Sequence, residues 1–169
     1  MGPEDMTDIQ AVESPAVWHG AALGGNRDWI LQLTDDARSE LEAAAENARA
    51  RGISLENAKM EDFDLPGLSS TLAAVRAELG EGRGFVLIRG LPVGDYSADE
   101  IGAIFWAIGA HLGTGVAQST DGDRLGQVID KGATDRYYTA GGVIEPHLDP
   151  VDVVGPLCLP TPRHRGSRR

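Results

Sequence analysis

Residues 97–112 constrain the fold of this 169-residue chain more than any other segment. Ser97-Ala98-Asp99-Glu100 has the capping-box pattern, in which a serine and a glutamate three residues later satisfy free N–H groups at the start of a helix. The apolar residues recur at helical spacing and are Ile101, Ile104, Phe105, Ile108 and Leu112. The segment therefore predicts an amphipathic helix that must pack against a core. His111, near its end, is expected to be a helix-terminal or surface histidine and not a ligand.

Two further helices and one strand are predicted before this helix. Thr34 is a candidate N-cap for a helix that closes at Gly52. A second helix is expected over residues 69–79, followed by a turn rich in glycine. The short apolar run at 85–88, between two glycines, predicts a strand buried on both faces. Segment 15–33 is expected to be a loop that its two tryptophans pin to the body of the protein.

The sequence changes character after Gly113. Residues 125–130 alternate between apolar and polar, as a half-buried strand does, and the hairpin-type turn Asp121-Gly122-Asp123 precedes them. The apolar run 151–159 predicts a further strand. Cys158, within this run, is expected to be a buried small apolar residue and not a nucleophile. Helices that are followed by the beginning of a β section predict the α+β class.

Composition limits the partners and the compartment. The formal charge of -11 argues against nucleic acid and against an anionic membrane as partners. A hydrophobic fraction of 41% with a mean hydropathy of -0.20 is typical of a soluble globular protein. The single cysteine excludes an internal disulfide, and neither a signal peptide nor an apolar run of about 20 residues is present, so a cytoplasmic protein is expected. Residues 1–14 are expected to form a flexible acidic leader, and the basic residues 160–169 a disordered tail.

His147 and Asp149 are the candidate metal ligands. If they lie on a strand, their side chains point to the same face, because strand side chains alternate. An imidazole nitrogen and a carboxylate oxygen are two of the three ligands in the facial triad that holds non-haem Fe(II). The tripeptide alone is not specific, but Pro146 and Pro150 flank it and an apolar run follows. A zinc or manganese site on the same two residues stays open as an alternative.

Several blocks of sequence occur in an order that resembles a known family. They are RGFVLIRGLP at 83–92, GAHLG at 109–113, Gln118, DRLG at 123–126, EPHLD at 145–149, DVVG at 152–155 and LCL at 157–159. Together these blocks look like the N-terminal half of the TauD/TfdA-like dioxygenases of the clavaminate synthase-like superfamily, over residues 15–159. The resemblance implies N-terminal helices with the beginning of a double-stranded β-helix, a jelly-roll of cupin-like type that is incomplete at the C-terminus.

The resemblance also implies a chemistry. It implies Fe(II) and 2-oxoglutarate as cofactors, with oxidation or hydroxylation of a small organic substrate coupled to decarboxylation of 2-oxoglutarate. By position, His147 and Asp149 would be the first two iron ligands, and Gln118 would line the pocket near substrate or cosubstrate. No catalytic residue beyond the metal ligands is implied within the chain. The substrate and the oligomeric state are left open.

The resemblance has a limit near the C-terminus. The family's distal histidine and the arginine that pairs with 2-oxoglutarate would follow residue 169, and residues 160–169 are rich in Pro and Arg where the family has a polar turn. We therefore expect a truncated or frameshifted product that is inactive alone. An incomplete sheet should leave apolar side chains such as Val153 and Leu159 uncovered, which predicts poor stability and aggregation. A non-catalytic remnant that acts as an interaction module is the alternative, so enzymatic activity itself stays open.

Overall fold

The computed structural model describes residues 11–55, 57–118, 122–128 and 147–160. The elements in chain order are α1 (Gly20–Gly24), β1 (Ile30–Gln32), α2 (Asp35–Ala50), a 3-10 turn (Met60–Asp62), α3 (Ser69–Gly80), β2 (Leu87–Arg89) and α4 (Ala98–Leu112). Four helices and a small parallel sheet confirm the α+β class. These elements are consistent with part of a cupin-like fold but do not by themselves establish a double-stranded β-helix. Residues 1–10 of the predicted leader (1–14) and residues 161–169 of the predicted tail (160–169) lie outside the described residues, so both predictions stay untested.

Helix α4 has the predicted capping box and the predicted buried face. The Ser97 hydroxyl accepts a hydrogen bond from the Glu100 N–H at 3.3 Å, and the Glu100 carboxylate accepts one from the Ser97 N–H at 2.8 Å. Hydrogen bonds from the Ser97 hydroxyl and backbone lower the pKa of the Glu100 carboxyl. Ile104 and Ile108 are buried, and α4 packs against both α2 and α3. The predicted helix is therefore confirmed.

Replacing Ser97 with alanine should lower the free energy of unfolding by about 1 kcal/mol, because the N–H groups of the first turn lose their acceptor. Urea denaturation followed by circular dichroism at 222 nm measures this loss. Ser70→Ala is the matched control, since Ser70 is exposed within α3 and follows its first residue. A loss at Ser97 no larger than the loss at Ser70 would show that the cap contributes nothing.

Helices α2 and α3 also follow the sequence. The Thr34 hydroxyl accepts a hydrogen bond from the Ala37 N–H at 3.2 Å, and α2 buries one apolar face of Leu41, Ala44, Ala45 and Ala48. The small alanine side chains allow α4 to approach this face closely. Helix α3 ends in the predicted glycine turn, where Gly84 has a φ of +81°. His111 lies in the last turn of α4, as expected, with its Nε2 3.1 Å from the Phe63 carbonyl oxygen.

Strands β1 and β2 form a two-stranded parallel sheet in which Ile30 pairs with Leu87. The predicted strand at 85–88 is therefore displaced by one to two residues. The prediction that it is buried on both faces is wrong, because the Leu87 side chain is exposed and Ile88 is half-buried. The described elements do not cover both faces of this two-stranded sheet. The prediction of a loop over 15–33 is wrong in part, because that segment contains α1 and β1.

The predicted aromatic contact of segment 15–33 is confirmed. The Trp18 ring meets Phe85 edge to face at a centroid distance of 5.0 Å, and the Trp29 ring lies 5.7 Å from the same residue. The Trp18 indole N–H also donates to the Arg83 carbonyl oxygen at 3.2 Å. These contacts hold the N-terminal segment against the start of β2.

Polar side chains connect α2 to the ends of both strands. The Arg38 guanidinium donates to the carbonyl oxygens of Leu33 and Gly90, each at 3.3 Å. The Tyr96 hydroxyl donates a short hydrogen bond to the Glu42 carboxylate. Burial and this hydrogen bond raise the pKa of Tyr96 to about 12, so the phenol remains a donor well into alkaline solution.

The described residues after α4 contain no strand. Residues 125–128 of the predicted strand 125–130 are irregular, and residues 129–130 lie outside the described part of the chain. Residues 151–159 are also irregular, and the prediction that Cys158 is buried is wrong, because its side chain is exposed. Proline at 150 and 156 removes two backbone donors, and the described residues supply no strand to pair with this run. Val153, Val154 and Leu159 are exposed with it.

Within the described ranges, no helix has both the length and the apolar character that crossing a membrane requires.

Candidate metal ligands and the segments that carry them

His147 and Asp149 lie at the start of the described segment 147–160, and their side chains converge. His147 Nε2 is 3.8 Å from Asp149 Oδ2, and the two side chains are 56% and 48% exposed. The residue between them, Leu148, is almost fully exposed. The structure thus brings the two side chains together on an irregular segment, whereas the sequence predicts their convergence on a strand.

The spacing of the two donor atoms suits a shared metal ion after a small adjustment. Two ligands that are each about 2.1 Å from one ion, at right angles, lie about 3 Å apart. The observed separation is 3.8 Å, so the two donor atoms would have to move closer together to share one ion. One imidazole nitrogen and one carboxylate oxygen suit non-haem Fe(II), and the same donor types also bind zinc or manganese.

The described residues supply two donors and not three. No group of three His, Cys, Asp or Glu side chains suited to a metal ion occurs among the residues that the structure describes. Two protein donors leave the other positions of an octahedral ion to water, to cosubstrate oxygens or to another side chain. The affinity of these two residues alone for a metal ion is therefore expected to be weak.

Gln118 lies in a turn that folds back on itself. Its side-chain amide donates to the Val116 carbonyl oxygen at 3.2 Å, and its backbone N–H donates to the Asp123 carbonyl oxygen at 2.6 Å. A Cβ placed on Gly126 would lie 3.7 Å from Gln118 Cβ, so the two limbs of the turn are in contact. The side chain is exposed, and its place in a substrate or cosubstrate pocket stays a prediction.

A small cavity of about 200 Å³ lies beside this turn and is lined by Leu55, Trp106, Asp123, Arg124 and Leu125. It is smaller than the pockets of about 300–1,000 Å³ that hold most small ligands. Trp106 forms one wall and is itself 7% exposed, with its indole N–H donating to the Ala58 carbonyl oxygen at 3.1 Å. Sequence reasoning missed this residue, because Trp106 lies outside the apolar stripe that defined α4.

Comparison with known proteins gives two weak similarities. FR-33289 synthase from Streptomyces rubellomurinus is 28% identical over 162 residues, which are 92% of this chain and 48% of the relative. A taurine hydroxylase-like protein from Stachybotrys chartarum is 28% identical over 115 residues, which are 67% of this chain and 30% of that protein. These similarities suggest a TauD-like 2-oxoglutarate dioxygenase family. No protein-family model matches the chain.

The chain spans about half the length of the first relative and 30% of the length of the second. The activity and the substrate of a whole protein are accordingly matters for proposal. What the similarities support directly is a resemblance to enzymes that process small molecules. The absence of nucleic-acid and membrane partners and the cytoplasmic location stay predictions.

Proposed function

We propose that this chain supplies two iron ligands, His147 and Asp149, to a TauD/TfdA-like dioxygenase that depends on Fe(II) and 2-oxoglutarate. The observation that carries the proposal is the 3.8 Å approach of His147 Nε2 to Asp149 Oδ2, within a block that resembles the metal-binding block of that family. The weak similarity to FR-33289 synthase, which extends over 92% of the chain, supports it. The proposed reaction is oxidation or hydroxylation of a small organic substrate, coupled to decarboxylation of 2-oxoglutarate.

The two side chains would act as fixed donors. His147 would bind through Nε2 as a neutral imidazole with its proton on Nδ1, and Asp149 would bind as a carboxylate. Both donor atoms also bind protons, so acid should weaken metal binding. The bound iron would supply the activation of oxygen. Because the described residues offer only two donors, we propose that the chain alone binds Fe(II) weakly and turns over poorly.

Replacing His147 with alanine should weaken Fe(II) binding by at least about tenfold, because one of two protein donors is lost. Anaerobic titration with Fe(II) in the presence of 2-oxoglutarate measures the effect. The visible charge-transfer band of the chelated cosubstrate should appear with the natural chain and be lost in the variant. His19→Ala is the matched control, since His19 is an exposed histidine before α1. Equal Fe(II) affinity in all three proteins would remove His147 from the site.

A zinc or manganese site is the second candidate, and the two-donor geometry favours it as much as it favours iron. This candidate predicts His147-dependent metal binding without the charge-transfer band on addition of 2-oxoglutarate.

A non-catalytic interaction module is a third candidate, favoured by the exposed apolar side chains of Val153, Val154 and Leu159. It predicts neither metal binding nor binding of 2-oxoglutarate. The same anaerobic titration therefore separates all three functions, because each gives a different combination of metal affinity and visible absorption.

A further inference from the structure

We propose that one face of α4, formed by Gly102, Phe105 and Trp106, positions the two chain segments of the proposed site. In this arrangement Phe105 is a positioning residue for the segment that carries His147 and Asp149. The expected effect on metal binding rests on the proposed function. The position of Phe105 beside segment 147–160 does not depend on it.

The three residues share one face of the helix, because positions i, i+3 and i+4 are neighbours on a helix surface. Phe105 is half-buried and lies beside Gly155 of segment 147–160. A Cβ placed on Gly155 would be 3.6 Å from Phe105 Cζ and 3.9 Å from Cε2, which is van der Waals contact. The phenyl ring therefore lies next to this irregular segment at Gly155.

The same face holds the segment that carries Gln118. A Cβ placed on Gly115 would lie 2.5 Å from Trp106 Cη2, so the glycine backbone rests on the indole ring with no room for a side chain. About one helical turn away on the same face, a Cβ on Gly102 would be 3.8 Å from Leu125 Cδ1. Trp106 is fixed by its hydrogen bond to the Ala58 carbonyl oxygen. The residues on both sides of Gln118 thus rest on α4.

The position of Phe105 matters because no strand among the described residues pairs with segment 147–160, and most of the segment's side chains are exposed. At the end of the segment, Pro160 Cγ lies 3.9 Å from a Cβ placed on Gly94. Gly155 lies within the segment, after the two candidate ligands. Its position beside Phe105 would therefore limit how far residues 147–154 can move. Restricting this motion before metal binding lowers the entropy that binding must remove.

The single cysteine allows a direct test of this contact. Cys158 is exposed and lies three positions after Gly155, so a nitroxide attached to its sulfur reports the motion of the segment. In Phe105→Ala, the rotational correlation time of the label should shorten by at least about twofold, within the nanosecond range of loop motion. Fe(II) affinity, measured by anaerobic calorimetry, should fall by about tenfold, as when a supporting residue around a metal ligand is lost.

Phe85→Ala is the matched control, because Phe85 is also half-buried but packs against Trp18 and Trp29. It should leave both the label's motion and the Fe(II) affinity unchanged. Phe105→Leu should restore most of the immobilisation. If Phe105→Ala loses its helical circular dichroism, Gly155→Leu tests the same contact from the other side, because the larger side chain displaces the segment from the ring and leaves α4 intact.

The experiment distinguishes failure of this inference from failure of the proposed function. Unchanged label motion in both Phe105→Ala and Gly155→Leu would overturn the inference, whatever the metal affinity. Increased label motion in a chain that binds no Fe(II) even with its natural sequence would overturn the proposed function, while the positioning of segment 147–160 by Phe105 would stand.

Discussion

Trp106→Ala is expected to lower the free energy of unfolding by about 3–5 kcal/mol, the range found when a buried large aromatic side chain is removed. The indole is 7% exposed and belongs to the core cluster that joins α2, α3 and α4. The substitution leaves a cavity beneath Gly115 and removes the donor to the Ala58 carbonyl oxygen. Urea denaturation followed at 222 nm measures the loss.

Two variants separate the contributions of this side chain. Trp106→Phe keeps much of the ring but not the N–H, and should cost about 1–2 kcal/mol because the Ala58 carbonyl oxygen loses its partner. Trp18→Ala removes an indole that is 45% exposed, and its smaller buried area predicts a clearly smaller loss. If Trp106→Ala destabilises the protein no more than Trp18→Ala does, the indole of Trp106 is not a core element.

The helices could be predicted because their signals are local. The Ser97 hydroxyl and the Glu100 carboxylate lie three residues apart in sequence and meet at the helix start, so the capping box can be read without any tertiary contact. Thr34 ends the extended chain before α2 in the same way. In both helices the apolar periodicity then identifies the buried face.

The strands were harder to predict because pairing defines them. Strand β1 has only three residues, and its partner β2 comes after two intervening helices. No alternation can be read in three residues, so the sequence predicts a loop in this segment. Cys158 shows the opposite error, since an apolar run predicts burial only if another element covers it. The described residues contain no such element over segment 147–160.

The sequence predicts candidate metal ligands but not which residues surround them, and their role stays a prediction. His147 and Asp149 were singled out by their chemistry, and the structure places their donor atoms 3.8 Å apart. Gln118 came from family resemblance alone, and its described hydrogen bonds lie within its own turn. Phe105 was assigned to the core stripe of α4, because periodicity shows that a residue is apolar on one face but not which segment covers it.

Gly90→Ala is expected to lower the free energy of unfolding by about 2–4 kcal/mol, because backbone strain and a close contact act together. Gly90 follows β2 with a φ of +103°, a conformation that L-amino acids with a side chain rarely adopt. A Cβ there would lie 2.6 Å from Gln32 Nε2 and 3.0 Å from the Leu33 carbonyl oxygen. The side chain of Gln32 can move away, but the Leu33 carbonyl cannot, since it accepts from Arg38. The substitution should therefore push the ends of β1 and β2 apart. Urea denaturation measures the resulting loss in the free energy of unfolding.

Gly52→Ala isolates the strain from the contact. Gly52 follows α2 with a φ of +70° and has open space where a Cβ would lie, so its replacement should cost only the conformational strain, about 1 kcal/mol. The difference between the two variants then measures how closely the ends of the two strands approach. Equal losses at Gly90 and Gly52 would mean that β1 yields to the added methyl group. The parallel pair would then be held by the Arg38 hydrogen bonds and the aromatic contacts at Phe85, and not by tight packing at Gly90.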